Sequence, residues 1–476
     1  MTETTKRSRK RPRVTHRAKD SSSNKILHPN WVLATTILAS SLAFIDGTVI
    51  NVALSAIGAS FNGDAADMQW VINAYLLPLS TLLLLGGAAG DRFGRTRLLV
   101  VGTVVFALAS VACAVAPSLP WLLAGRVLQG ISAALLMPNS LAILGASFSG
   151  ADKGRAIGIW AAAGAVMAAI GPVLGGWLID TIGWRSIFFL NLPPAILAIV
   201  LALRFVPNIH RDTKSLPLDL PGALLATASM GALTWGLTLG SGRAGWTTST
   251  IVWCVVGFAL LIAFVLVEKW RGKSAMMPLA LFGSSTFIGL TLLTLLLYGA
   301  LGALTVTVPY LLIKAQGYSA IQAGSALLPL AIILAVTSPL MGKLAGRIGP
   351  RWPLTIGPIV VAAGFLLLLR VGEHASYWRD VFPAIVVLAF GLAGAVAPLT
   401  TAVLSSIDEQ YTGAASGFNS AVARTAGMIA TAMLGGALGV NGPALIVEFH
   451  VTSWACAIAS LGAGLSALFM VRVPKH

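Results

Sequence analysis

The chain reads as an all-α membrane protein with fourteen transmembrane segments. Three observations predict this. Of its 476 residues 57% are apolar and only 10% charged, where a soluble domain carries about 25% charged residues. Apolar runs long enough to cross a hydrocarbon core, roughly 20 residues each, recur along the whole chain, and mean hydropathy is +0.85. The basic residues, finally, crowd into the connections on one side of those runs, the distribution that orients membrane helices.

Residues 1–29 form a basic tail. Nine of the 32 Lys and Arg residues lie between Lys6 and Lys25, among Ser and Thr with few apolar residues, a composition that predicts disorder. Six apolar segments follow at 32–58, 70–90, 98–115, 121–148, 156–179 and 187–206. Two more occupy 220–239 and 251–267, and a last six span 286–312, 320–345, 353–369, 381–404, 414–438 and 451–471. The first run carries Asp46 and no small-residue cleavage site, so it is expected to be retained as the first helix and not removed as a signal peptide.

An even number of segments puts both termini on one side. Counting the tail, that side receives 25 Lys and Arg residues and the other receives five, Arg185, Arg243, Lys314, Arg370 and Arg379. Arg126 and Arg424 fall inside segments. The asymmetry predicts cytoplasmic N- and C-termini in a multi-pass cell-membrane protein. The net charge of +16 is thereby assigned to membrane orientation and to contact of the tail with anionic lipid, and no nucleic-acid partner is expected.

An internal echo organises the segments. Gly87, Arg92 and Gly94 after the second segment are matched by Gly342, Arg347 and Gly349 after the tenth, at a constant offset of 255. The fifth and thirteenth segments each end in a glycine pair, Gly175-Gly176 and Gly435-Gly436. Duplicated halves with a site at their interface are a recurring transporter architecture. The expected organisation is a six-helix bundle at 30–208, two inserted helices at 209–273 and a second six-helix bundle at 274–476.

Few residues in the segments carry chemistry. Asp46 in the first segment is costly unless paired, hydrated or protonated; it is either a functional group or half of a structural ion pair. Arg126, Gln129, Gly130 and Ala133 in the fourth segment share one helical face. Asp46 and Arg126 lie at similar depth, ~10–14 Å below the outer surface, so they can pair. Arg424 in the thirteenth segment has no acid within the second-half segments as drawn; pairing across the halves, bonding to backbone carbonyls and contact with an anionic solute stay open.

Enzyme signatures are missing. Gly272-Lys273-Ser274 lacks the glycine five positions earlier that a P-loop needs. Cys113, Cys254 and Cys456 are dispersed in apolar runs and read as small packing residues. The six histidines fall in the tail, connections and segment ends. No metal or cofactor is expected, and proton handling is left to carboxylates.

Four of these motifs together resemble a known family. The run of Gly87, Asp91, Arg92, Gly94 and Arg95 is similar to the loop signature of the major facilitator superfamily, with Ala89 and Gly90 in place of Leu-Ala and Thr96 in place of Lys. The first segment from Asp46 through Thr48, Asn51, Ala53 and Leu54 resembles the first-helix signature of the fourteen-helix drug:proton antiporters, with Ser55 in place of the final Pro. Arg126, Gln129, Gly130, Ala133 and Ala134 resemble that family's proton-coupling signature, with Ser132 replacing a Gly. Gly158, Gly171, Pro172, Gly175 and Gly176 resemble its fifth-helix packing signature, with Met167 replacing the middle Gly.

The resemblance implies a major facilitator fold, two six-helix bundles plus two inserted helices, working as a monomer by alternating access. It implies a proton-coupled exporter of lipophilic small molecules, powered by the proton gradient. Because Asp46 is the one carboxylate well inside a segment as drawn, lipophilic monocations are the expected substrates. It further implies proton coupling through Asp46 and Arg126, and a conformational latch at Gly87, Asp91, Arg92, Gly94 and Arg95, with Asp91 meeting the thirteenth helix near Gly413. Asn51, Asn73, Tyr75, Gln129, Trp160 and Arg424 are the expected cavity-lining groups. A lipid or metabolite exporter and a proton-coupled importer, such as a peptide symporter, remain alternatives on the same fold.

Overall fold

A computed structural model describes residues 29–148, 150–207, 219–242, 245–272, 279–406 and 412–471. The basic tail before residue 29, and Arg211, Lys214, Arg243, Lys273, Arg472 and Lys475 among the counted charges, lie outside the described residues. The described chain is helical. In order the helices are α1 (Pro29–Phe61), α2 (Ala65–Phe93), α3 (Arg95–Ala114), α4 (Leu119–Ser147), α5 (Gly150–Thr181), α6 (Ser186–Phe189) and α7 (Leu192–Phe205). Next come α8 (Leu220–Ser241) and α9 (Thr248–Arg271). The rest are α10 (Ser285–Lys314), α11 (Ala320–Ser325), α12 (Leu328–Ile348), α13 (Arg351–Leu367), α14 (Phe382–Ser405), α15 (Thr412–Ala432), α16 (Gly435–Leu438) and α17 (Pro443–Met470).

Each expected segment has a helical counterpart, with differences that have local causes. The sixth is broken between α6 and α7, where Pro193 and Pro194 follow Asn191 and cannot donate backbone hydrogen bonds. The tenth is broken between α11 and α12, ahead of Pro329. The last helix begins at Pro443, eight residues before the expected segment, because its polar residues find partners: His450 Nε2 lies 2.8 Å from the Val371 carbonyl. This extension brings Glu448 inside a helix, so the expectation of a second half without helical carboxylates is corrected.

Among the described residues, thirteen helical stretches are long and apolar enough to cross a bilayer. The helix missing from that set is α15, which carries Asn419, Ser420, Arg424 and Thr425. It packs against α2, α8 and α10, so it is surrounded largely by protein, where a lipid-facing helix would have to be apolar throughout.

Helices α1–α7 pack on one another, with α4 held between α2 and α3 and α1 against α5 and α7. Helices α10–α17 form a second group around α13, α14 and α17. The α8–α9 pair attaches through α8 to α2 and α15, and α9 turns Ile251, Val255, Phe258 and Ile262 outward. The sequence echo has a structural counterpart. Gly94 (φ 98°) joins α2 directly to α3 and Gly349 (φ 84°) ends α12, both in a backbone region that other residues avoid.

The two groups meet along α2 and α15 and at α5 and α11. At the latter, Asp180 accepts the backbone N–H groups of Ala320 (3.1 Å) and Ile321 (2.9 Å). Gly176 lies on the Ala320–Ile321 backbone, where a Cβ would come within 2.5 Å of Ile321 Cα. Gly324 in turn lies on the Pro172 carbonyl. Gly171 and Gly175 pack on α1, against Thr48 and Val49. Gly158 departs from the expected packing motif: it is exposed, and nothing stands within 4 Å of where its Cβ would be. Gly158→Ala is therefore expected to shift stability by no more than about 0.5 kcal/mol. Gly176→Val should cost about 1–3 kcal/mol by overpacking. Thermal unfolding of the purified variants distinguishes them, and equal shifts would contradict the packing described.

Candidate functional site

The site is built inside the first bundle. Helix α4 begins with Pro120 at its first turn and turns Arg126, Gln129, Gly130 and Ala133 inward, all buried. Gly130 permits this approach: a Cβ there would overlap the Tyr75 carbonyl and meet Pro78 Cγ at 2.5 Å. The close approach brings α2 and α4 together and seats the Arg126 guanidinium over the Tyr75 ring, 4.6 Å from its centroid. Cation–π contact of this kind suits a desolvated arginine.

Asp46 on α1 and Arg126 form an ion pair through Asp46 Oδ2 and Arg126 Nη1, with both side chains 1% exposed. Gln129 Nε2 donates to Asp46 Oδ1 (3.0 Å) and to Ser110 Oγ (2.9 Å). Asn191 Nδ2 donates to the same two atoms, at 3.2 and 3.3 Å. Arg126 Nη1 also donates to Gln129 Oε1 (2.9 Å), and its Nε to the Val71 carbonyl (3.1 Å). Arg126 Nη2 has no hydrogen-bond partner among the described residues. An arginine and two amide donors thus converge on the Asp46 carboxyl at a depth where an unpartnered polar group would be untenable.

Sequence reasoning singled out Asp46, Arg126 and Gln129, and the structure brings them together. It missed Asn191 and Ser110. Asn191 could have been noticed as an amide set before a Pro-Pro break inside an apolar run; Ser110 carries no such signal, since serines are common in these helices. Cys113, read as a packing residue, is one: it is fully buried and its thiol approaches Gln129 Oε1 at 3.5 Å.

The expected cavity-lining set divides. Gln129 and Tyr75 are engaged by the charge pair, and the Tyr75 hydroxyl donates to the Ala43 carbonyl (3.2 Å). Asn51 and Asn73 are buried, with Asn51 Oδ1 and both amide atoms of Asn73 lacking a hydrogen-bond partner among the described residues. These four are packed between helices in this conformation and do not face open space. Trp160 is half-buried on α5, its Nε1 donating to Ser40 Oγ (3.0 Å) beside Phe44. Arg424 alone of the six lines a described cavity, of about 360 Å³.

The expected latch is more helical than a loop. Gly87, Asp91 and Arg92 belong to the last turns of α2, Gly94 is the entire connection, and Arg95 opens α3. Asp91 Oδ1 accepts from Arg95 (2.7 Å), and Arg95 Nη1 donates to the Ala142 carbonyl of α4 (3.0 Å). The described partner of Asp91 is thus its own neighbour; the expected contact near Gly413 falls where the side chains lie outside the described residues. The close α2–α4 contacts are made by Gly86 and Gly90, against the Ala134 carbonyl and Asn139, whereas Gly87 has only ordinary contact with Pro138.

The sequence pattern of the Major Facilitator Superfamily matches two stretches of the chain, residues 36–430 and 290–476. The chain belongs to that superfamily. This facilitator is 34% identical over 417 residues to the multidrug resistance protein Stp of Mycobacterium tuberculosis, covering 85% of this chain and 75% of that protein. It is 30% identical over 447 residues to a methylenomycin A resistance protein of Bacillus subtilis, covering 92% and 91%. Among solved structures, a peptide transporter POT in complex with sulfate superposes with a TM-score of 0.67 at 14% identity, over 93% of this chain and 94% of that one. At that identity the superposition speaks for the fold alone. The facilitator is a multi-pass membrane transporter and not an enzyme.

Proposed function

We propose that the protein is a proton-coupled exporter of lipophilic small molecules, working by alternating access between the bundles at 30–208 and 274–476. The carrying observation is the buried Asp46–Arg126 pair with its two amide donors. Such a pair stores a charge that can be cancelled by one proton. Protonation of Asp46 removes the attraction that holds Arg126, and a rearrangement that separates them makes the protonated acid the cheaper state. Export in preference to import is supported by the resistance proteins among the relatives. The basic connections support cytoplasmic termini in the cell membrane, and a monomer needs nothing from a second copy to complete the site.

Inverted vesicles containing the protein, given an imposed proton gradient and a panel of lipophilic dyes and antibiotics, test this reading. Uptake of panel members that collapses with an uncoupler is expected; uptake indifferent to the gradient contradicts it. Asp91→Asn bears on the latch. Asp91 and Arg95 form a partly exposed pair, worth about 0–1 kcal/mol, so stability should hardly change. Turnover should fall several-fold with substrate affinity unaltered. Weakened binding at normal turnover would remove the latch role.

A further inference from the structure

Arg424 lies twelve residues into α15, about 18 Å along the helix axis, and so near the middle of the membrane. A guanidinium at that depth is permanently charged and is expected to be paired. Arg424 is not paired with an acid: among the described residues its guanidinium has one hydrogen-bond partner, the Met137 sulfur of α4, 3.0 Å from Nη2. A thioether is a weak acceptor. The contact crosses from the second bundle to the first.

The cavity around Arg424 is rich in donors. It is lined by Tyr298, Thr400, Asn419 and Ser420 as well as Arg424, with no carboxylate among the lining residues. The Thr294 hydroxyl donates to Asn419 Oδ1 (2.7 Å), which leaves the Asn419 amide nitrogen to donate elsewhere. Thr400 and Ser420 are exposed, so the cavity is open. The carboxylate expected to face the solute, Asp46, is sealed against Arg126, and Glu448 lies against Gly436 on α16. Glu448 also lines a second cavity, of about 420 Å³, whereas the charge in the cavity around Arg424 is that of Arg424 itself.

We propose that Arg424 is a recognition site for an anionic group, a carboxylate or an acidic phenolate, on a lipophilic substrate. The guanidinium supplies charge and a two-pronged donor geometry, with the Asn419 amide and the Ser420 hydroxyl as flanking donors. The proposal rests on the reading of the protein as a small-solute transporter and extends it to a substrate class that the Asp46 carboxylate would not select. Of the three alternatives left open by the sequence it takes the third, since among the described residues Arg424 meets neither an acid nor a backbone carbonyl.

The test is equilibrium binding to purified protein, without a gradient, of pyrenebutyrate, its methyl ester and pyrenebutylamine, followed by pyrene fluorescence. Wild type should bind the carboxylate about tenfold or more tightly than the ester. Arg424→Gln should abolish that preference while leaving ester affinity within about twofold, and Arg424→Lys should keep part of it, since an ammonium retains the charge but not the fork. Equal loss of all three ligands in Arg424→Gln, with lowered thermal stability, would make Arg424 a structural residue and overturn the proposal. So would wild-type protein that binds the carboxylate no better than the ester. Arg424-dependent carboxylate binding without gradient-driven transport would instead leave the anion site standing and remove the export mechanism; gradient-driven export of neutral compounds without carboxylate preference would do the reverse.

Discussion

Asp46→Asn is expected to reduce gradient-driven export to background. Asparagine keeps one acceptor oxygen, which can still receive Gln129 and Asn191, while its NH2 group replaces the oxygen that accepts from Arg126. What it loses is the exchangeable proton. Arg126 is left without a counter-charge inside the bundle, which lowers stability by up to about 3–5 kcal/mol. Thermal unfolding and binding of a neutral ligand must therefore be measured beside transport. Asp46→Glu supplies the control: it keeps a titratable group and should recover part of the export. A folded Asp46→Asn protein that still concentrates substrate against a gradient would place the proton elsewhere.

Arg126→Met is expected to have the next largest effect, for the complementary reason. Arg126 joins α4 to Asp46 on α1, the Val71 carbonyl on α2 and the Tyr75 ring. Its removal strands a buried carboxylate, at a cost of about 3–5 kcal/mol if the charge persists. The cheaper outcome is a protonated Asp46 that no longer releases its proton, so coupling fails even where the fold survives. The double variant Asp46→Asn, Arg126→Met removes both charges and should unfold at a higher temperature than Arg126→Met alone, while remaining inactive. Losses that simply add would mean that the two residues are not energetically coupled. The measurement is thermal unfolding of the two single variants and the double variant, with export assayed in parallel.

Much of this architecture is legible in the sequence because a bilayer leaves few choices. Backbone groups in hydrocarbon must be satisfied within a helix, so apolar runs mark helices directly. The Gly94 and Gly349 turns could be read from their repeat because only glycine readily takes their positive φ. Asp46 and Arg126 stood out because charge inside a span demands an explanation. Features set by neighbours were not legible. Gly158 carries the spacing of a packing glycine, yet no helix approaches it. Glu448 and His450 read as a connection because polar residues in a span look misplaced until their partners are seen. Asn191 acts on Asp46 across 145 residues of sequence, a distance over which composition and periodicity carry no information. Tyr75 and Gln129 suit a cavity wall by chemistry, but the demands of the buried pair claim them first.

The central claim, that Asp46 exchanges a proton as substrate binds, is tested most directly by counting protons. Purified protein in a weakly buffered detergent solution near neutral pH is mixed with saturating substrate, and the pH change is followed with an indicator dye. Wild-type protein should release protons on binding, and Asp46→Asn, shown to be folded and to bind the same substrate, should release none. Equal proton release from the two proteins would contradict the account.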